Sequence, residues 1–240
     1  MPLYAALRQR SAAAAVVTLI FALLAHRWRA VSFSGAAAGA VVAFVLYATS
    51  GPEAFLTLAA VFLITVASTR YGQTQKRQRG IAEPKTGRNG WQVLANLSAA
   101  AALSTLALSM RRPEMLLAAV AALAEAAADT ASSEIGKAAS DHVYLITNFQ
   151  RTAVGTDGGI SMAGTLCGIA AAAIVAQVAF WCRLIPRHHE IAIVAGAAVL
   201  GSFLDSLLGA TLQRRGWLSN SAVNLVSTLA AAALALILSR

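Results

Sequence analysis

Pro113-Glu-Met-Leu-Leu-Ala-Ala-Val-Ala-Ala-Leu-Ala-Glu125-Ala-Ala-Ala-Asp129-Thr-Ala-Ser-Ser-Glu134-Ile-Gly136 is the stretch that decides the fold. It begins as an apolar run and ends with three carboxylates among alanine, serine and glycine. A bilayer crossing takes about 20 predominantly apolar residues, and this stretch has that length. Carboxylates inside such a segment are costly in hydrocarbon, so they point to a site or to buried partners. Glu125 and Asp129 are four residues apart and share a helical face, which Ser132 and Gly136 continue. Glu134 comes five residues after Asp129 and falls on another face unless the helix breaks near Ser132.

The rest of the chain has the same character. Of its 240 residues, 58% are hydrophobic and 12% charged, against roughly 25% charged in a soluble domain. The expected fold is therefore all-α: a polytopic integral membrane protein forming one compact bundle over residues 1–240. Abundant alanine makes the spans weakly hydrophobic and favours close helix packing. The formal charge of +9 suits basic loops that set topology or meet anionic head groups, and no soluble basic domain is present to hold nucleic acid. Cys167 and Cys182 fall in one apolar run and read as free thiols; the four histidines lack metal-ligand spacing.

Charge-free runs mark six spans: Ser11–Ala25, Ala30–Pro52, Ala54–Thr69, Gly90–Met110, Gly158–Cys182 and Gly216–Ser239. Pro113–Gly136 and Ile191–Gln213, both interrupted by acids, raise the expected number to eight. The first of these, within residues 1–28, reads as an uncleaved span, because His26-Arg-Trp-Arg29 follows it without a small-residue cleavage pattern. The long connections Tyr71–Asn89 and Lys137–Asp157 are expected to be functional or disordered.

Placing the Tyr71–Asn89 loop in the cytoplasm puts Arg27, Arg29, Arg70, Lys76, Arg77, Arg79, Lys85, Arg88, Lys137, Arg151, Arg214 and Arg215 inside. Arg8, Arg10, Arg111, Arg112, Arg183, Arg187 and Arg240 then lie outside, with both chain ends. In this topology Glu53, Glu114 and Glu190 stand outside, near helix starts, where the helix dipole favours a carboxylate. Glu83, Asp129, Glu134, Asp141, Asp157 and Asp205 gather at the cytoplasmic face, as expected of a one-sided site.

Three further stretches reach that face. In Arg151-Thr-Ala-Val-Gly155-Thr156-Asp157-Gly158-Gly159-Ile-Ser161, a glycine-rich loop leads into a span and offers backbone amides to an anion. Asp157 suits either a metal or a helix cap, and Gly164 and Gly168 beyond it have close-packing spacing. In Asp205-Ser206-Leu-Leu-Gly209-Ala-Thr-Leu-Gln213, the four-residue spacing draws a polar stripe on one helix. In Glu83-Pro-Lys85-Thr-Gly-Arg88-Asn89-Gly-Trp-Gln92-Val-Leu-Ala-Asn96, cations and amides stand at a helix mouth. Asn220, Asn224 and Ser227 add a last polar stripe. The nucleotide-binding P-loop and the hydrolase nucleophile elbow are both missing from the sequence.

Taken in order, Glu83–Asn96, Ala128–Gly136, Val154–Ser161 and Asp205–Gln213 resemble the integral membrane family that includes plant phytyl-phosphate kinase and animal transmembrane protein 19. The likeness runs from about Arg29 to the C-terminus. It implies a kinase adding a second phosphate to an isoprenyl monophosphate, with a nucleoside triphosphate (CTP or ATP) as donor. A fainter likeness joins CTP-using lipid enzymes such as dolichol kinase. Such chemistry needs magnesium and cations around clustered phosphates. The expected roles are therefore Asp129, Asp157 and Asp205 as catalytic residues, with Glu134 joining them as magnesium ligands. Glu83, Lys85, Arg88, Asn89, Asn96, Arg151, Gly155, Thr156, Gly158, Gly159, Ser161, Ser206, Gln213, Asn220 and Asn224 are the expected phosphate-binding set, and the tail would lie in the bilayer. The competing readings are a transporter or flippase of lipid phosphates or other anions, and a lipid nucleotidyl transferase.

Overall fold

A computed structural model describes residues 2–240, with side chains from residue 10 onward, so Arg8 lies outside the described side chains. Among the described residues, eight helices are long and apolar enough to cross a membrane. They are α1 (Pro2–Arg27), α2 (Phe33–Ser50), α3 (Pro52–Arg70), α5 (Gly90–Ser109), α6 (Glu114–Ala139), α7 (Met162–Trp181), α8 (His188–Leu208) and α9 (Asn220–Leu238). A short α4 (Gln73–Gln78) lies between α3 and α5. The protein is thus an all-α polytopic bundle, as its composition predicts.

Local sequence sets the boundaries. Gly51 (φ 84°) turns the chain between α2 and α3, and Pro52 opens α3, where its missing N–H costs nothing. Ser32, Asn89, Ser161 and Ser219 each accept a backbone N–H at the start of a helix. Ser161, not Asp157, is therefore the cap of α7. The helix begins at Met162 rather than Gly158 because Gly159 and Ile160 are taken into a strand. Glu53, Glu114 and Glu190 fall in first turns, as expected.

The decisive stretch becomes α6, the axis of the bundle. Of its membrane-length window 78% is buried, against at most 39% in any other span. It packs on α3, α5, α7, α8 and α9. Alanine all around permits this, since small side chains let five neighbours approach one backbone. A Cβ added to Gly168 would stand 3.0 Å from both the Ala128 carbonyl and the Ser132 Cβ, so α7 crosses α6 in near-backbone contact. On the other side, a Cβ at Gly201 of α8 would meet the Ser227 carbonyl of α9 at 3.1 Å.

Two features depart from the expected pattern. The Lys137–Asp157 connection is ordered around a small antiparallel sheet of β1 (Val143–Leu145), β2 (Arg151–Thr152) and β3 (Gly159–Ile160), with β1 central. Val143 pairs with Thr152, and Tyr144 with Arg151 and Ile160. Secondly, Gly209–Gln213 form a π turn, with Arg214 N–H donating to the Gly209 carbonyl at 3.3 Å. The extra residue in that turn rotates Gln213 off the regular helical stripe of Asp205 and Gly209. Cys167 and Cys182 are free thiols, both half-buried.

Candidate active site

At the end of the bundle where α6 and α8 finish and α7 and α9 begin, a cavity of about 170 Å³ opens. Asp129, Ser132, Ser133, Gly136 and Lys137 line it from α6, and Asp205, Ser206, Gly209 and Gln213 from α8 and its π turn. The 154–161 loop closes one side with Gly155, Thr156, Asp157, Gly158, Gly159 and Ser161; Asn220 stands at the start of α9. Three stretches far apart in sequence are thus joined, and the expected catalytic trio shares one cavity.

Glycine explains how the loop reaches the helices. Gly155 and Gly158 hold φ of 87° and 76°, values open to glycine at little cost. Gly158 also packs against Ala210 so closely that a Cβ would overlap it. Within the loop, Thr156 N–H donates to the Ala153 carbonyl at 3.2 Å and Gly159 N–H to the Thr156 carbonyl at 2.9 Å. Those two amides are occupied, so among the described residues the amides of the expected cradle without a backbone partner are those of Gly155, Asp157 and Gly158.

The acids continue inward from the cavity. Ser227 Oγ lies 3.2 Å from Asp205 Oδ2, and 3.0 Å from the Asn224 carbonyl to which it also donates. The Asn224 amide donates to Asn96 Oδ1 at 2.9 Å in one orientation. Turned over, it donates to Asp205 at 3.2 Å and to the Asn220 carbonyl at 2.9 Å, the better match to its neighbours. Asn96 itself donates to the Gln92 carbonyl at 2.7 Å. Asn224, so turned, holds Asp205 from behind, and neither it nor Asn96 lines the cavity. Glu125, deeper on α6 and 1% exposed, has an Oε1 without a hydrogen-bond partner. Glu125, Asp129 and Asp205 lie within electrostatic range of one another, as do Asp205 and Asp157. The cations acting on Asp129 are Arg88 and Lys137.

Glu134 takes a different place from the one expected. Its Oε2 accepts from Lys76 Nζ at 2.6 Å and its Oε1 from Lys137 Nζ at 3.0 Å, and the carboxylate is 2% exposed. Both oxygens serve lysines, and the side chain does not line the cavity, as the five-residue spacing from Asp129 foreshadows. Lys76 is wholly buried and also donates to the Thr69 carbonyl at 2.7 Å. Two lysines thus escaped the sequence reading. Lys76 looked like one more loop cation; Lys137 had a signal, its i,i+3 spacing from Glu134.

The remaining candidates separate. Glu83, Lys85 and Arg88 line a second cavity of about 390 Å³, together with Arg29, Arg70 and Arg77. Asn89 is occupied as the cap of α5, exchanging hydrogen bonds of 3.0 and 2.9 Å with Gln92. Arg151 stands exposed on β2, donating to the Asp141 carbonyl at 3.2 Å.

A metal finds no ready-made cage here: among the described residues no three His, Cys, Asp or Glu side chains gather into a ligand set. That donor set still fits magnesium, which is commonly held by one or two carboxylates and completes its shell with water and substrate phosphates.

The family described as Integral membrane protein DUF92 matches residues 16–232, reaching into α1 and thus beyond the motif-bearing region. An uncharacterized membrane protein of Synechocystis is 35% identical over 202 residues, 82% of this chain and 78% of that one. Protein VTE6, chloroplastic, of Arabidopsis thaliana is 33% identical over 82% of this chain, and the alignment spans 61% of the plant protein. An uncharacterized membrane protein of Methanocaldococcus jannaschii is 29% identical over 89% of this chain and 88% of its own length. No solved structure matches.

Proposed function

The chain belongs to the integral membrane family DUF92, the family of the plant phytyl-phosphate kinase, and from that premise we propose that it is a prenyl-phosphate kinase. The observation that carries this reading is the single cavity where Asp129, Asp157 and Asp205 meet Lys137 and a glycine loop with open amides. A nucleoside triphosphate, CTP or ATP, occupies that cavity with its phosphates against the loop and Lys137. An oxygen of the isoprenyl monophosphate attacks the γ-phosphorus, and the bond from that phosphorus to the β–γ bridging oxygen breaks. The products are a prenyl diphosphate and a nucleoside diphosphate. The acceptor phosphate is already ionised, so no strong general base is required; positioning and charge neutralisation supply the catalysis. Arg88 and Lys137, the two cations near Asp129, neutralise the converging phosphates. When bound, magnesium would be held by one or two of the carboxylates of Asp129, Asp157 and Asp205 and would offset phosphate charge. The basic bias of the connections at this end favours a cytoplasmic face for the site.

One observation favours transport instead: Glu125 is buried at depth with an unpartnered oxygen, as intramembrane carboxylates of ion pathways often are. Purified protein incubated with geranylgeranyl or phytyl monophosphate, magnesium and labelled CTP or ATP separates the readings. Labelled prenyl diphosphate is the expected product, and Asp205→Asn abolishes it while the protein still purifies as a folded species. A nucleotide-linked lipid would indicate a nucleotidyl transferase. Absence of turnover, with flux of the lipid phosphate in liposomes, would replace the kinase by a transporter.

A further inference from the structure

The second cavity has its own logic. Arg29 at the end of α1, Arg70 at the end of α3, Arg77 of α4, and Lys85 and Arg88 of the following loop face it, against the single carboxylate of Glu83. None of these five cations is in an ion pair among the described residues. So much unpaired positive charge in a concave site calls for an anion carrying more than one charge.

A third, apolar cavity adjoins it, walled by Phe21 of α1, Gly39 of α2, Val61 and Phe62 of α3, and Val93 and Leu97 of α5. Ala30, Thr65, Val66 and Arg88 line both cavities, so their walls are continuous. Arg88 is the fixed point of the junction. Its N–H donates to the Ala30 carbonyl at 3.2 Å, and its carbonyl accepts from Ser32 N–H at 2.9 Å. Its guanidinium donates to Thr130 Oγ at 3.3 Å, and its Nε is buried with no partner. Thr130 is the residue after Asp129, so this junction abuts the acid cavity across the backbone of α6.

We propose that these two cavities together are the acceptor site. The phosphate of an isoprenoid monophosphate sits among the arginines, and the first part of its tail lies between α1, α2, α3 and α5. The inference rests on the kinase reading and adds that the lipid and the nucleotide enter by separate cavities meeting at Asp129, Thr130 and Arg88. The apolar cavity is narrow, about 90 Å³. It admits one chain rather than the paired chains of a phospholipid, and charge complementarity chooses a phosphate over an uncharged prenol.

Gly39 provides the test. A Cβ there would meet only Val93 Cγ1, at 4.0 Å, so Gly39→Leu is compatible with the helix and projects its branched end into the cavity. Binding of geranylgeranyl monophosphate to protein in nanodiscs, measured by titration without nucleotide, weakens roughly tenfold or more in Gly39→Leu, equivalent to about two methylenes kept out of an apolar site. Gly196→Ala on α8, with nothing within 4 Å of its Cβ, binds as wild type does, and a five-carbon prenyl monophosphate binds Gly39→Leu and wild type equally. A prenyl monophosphate with a photoreactive tail labels α2 and α5 of the wild-type protein, a readout that does not depend on a variant folding. Unchanged affinity in Gly39→Leu, or labelling confined to α8 and α9, overturns this site and leaves the kinase standing. Failure of the wild-type protein to bind any prenyl monophosphate overturns both.

Discussion

Glu134→Gln removes the charge at the centre of the buried lysine pair, and the geometry sets the size of the effect. Lys76 Nζ and Glu134 Oε2 are 2.6 Å apart with side chains 1% and 2% exposed, so solvent cannot take over the lost partner. Breaking one side of such a buried pair costs about 3–5 kcal/mol, because the surviving charge is stranded. The second bond, to Lys137, involves a side chain 27% exposed and contributes under about 1 kcal/mol. The glutamine oxygen can still accept a hydrogen bond but carries no charge, and beyond it Lys76 has only the Thr69 and Ser68 carbonyls, at 2.7 and 3.3 Å. Folded proteins hold roughly 5–15 kcal/mol in total, so the variant unfolds at a clearly lower temperature. The double variant Lys76→Met/Glu134→Leu removes both charges and recovers most of the loss, since apolar replacement of a buried pair is often neutral or stabilising. Thermal unfolding of wild type, Lys76→Met, Glu134→Leu and the double variant in one detergent completes the cycle. An unchanged unfolding temperature in Glu134→Gln, or a double variant as unstable as the two single losses added, refutes the reasoning. Kinase turnover adds a second axis. Because Glu134 does not line the acid cavity, the double variant retains activity, and a folded but inert double variant would return Glu134 to the chemistry.

The crossing of α6 and α7 makes a paired prediction. Gly168→Ala sets a methyl 3.0 Å from the Ala128 carbonyl and the Ser132 Cβ and destabilises by about 1–3 kcal/mol. Gly196→Ala, with nothing within 4 Å of its Cβ, stabilises by up to about 1 kcal/mol through helix propensity. Unfolding temperatures that move the same way in both variants would contradict the close crossing. Ser161→Ala loses the hydrogen bond accepted from Gly164 N–H and costs about 1 kcal/mol as a helix cap. Unfolding equal to wild type would show that Ser161 does not cap α7.

The bundle was legible because each span carries its own length and composition, and the two acid-bearing spans kept enough apolar residues on either side of Glu125 and Asp205. The common cavity of Asp129, Asp157 and Asp205 was legible as well: alternating spans bring the relevant helix ends to one face whatever the packing details. Pairing was not. Nothing local distinguishes Lys76 from Arg77 beside it, yet one is wholly buried and the other lines the basic cavity. That difference arises from where α4 docks on α6, a contact between residues far apart in sequence. The sheet was hidden for another reason. Strands of two or three residues show no alternation, and their stability comes from pairing across the connection rather than from their own composition. Asn89 misled because the residue types that bind phosphate are also the ones that cap helices.

The distribution of polar atoms along α6 bears on whether the site does chemistry or opens a passage. From Leu117 to Ala124 every residue is buried and apolar. Val175, Ala176 and Ala179 of α7 and Val194, Ala197 and Ala198 of α8 belong to the same apolar core cluster as that half of the helix. Polar contact begins at Glu125, strengthens through Asp129 and Asp205, and ends in the two open cavities. A carrier needs partners for its cargo at mid-depth and beyond, usually at broken helices. Here α6 is unbroken, and the one helical irregularity among the acid-bearing spans, the π turn at Gly209–Gln213, lies at the cavity end of α8. On the proposed kinase reading, Glu125 is the floor of a one-sided site rather than the waist of a channel. On that reading its burial beneath Asp205 would supply a low-dielectric wall, where the fixed charges of Arg88 and Lys137 act more strongly on phosphates than they would in water.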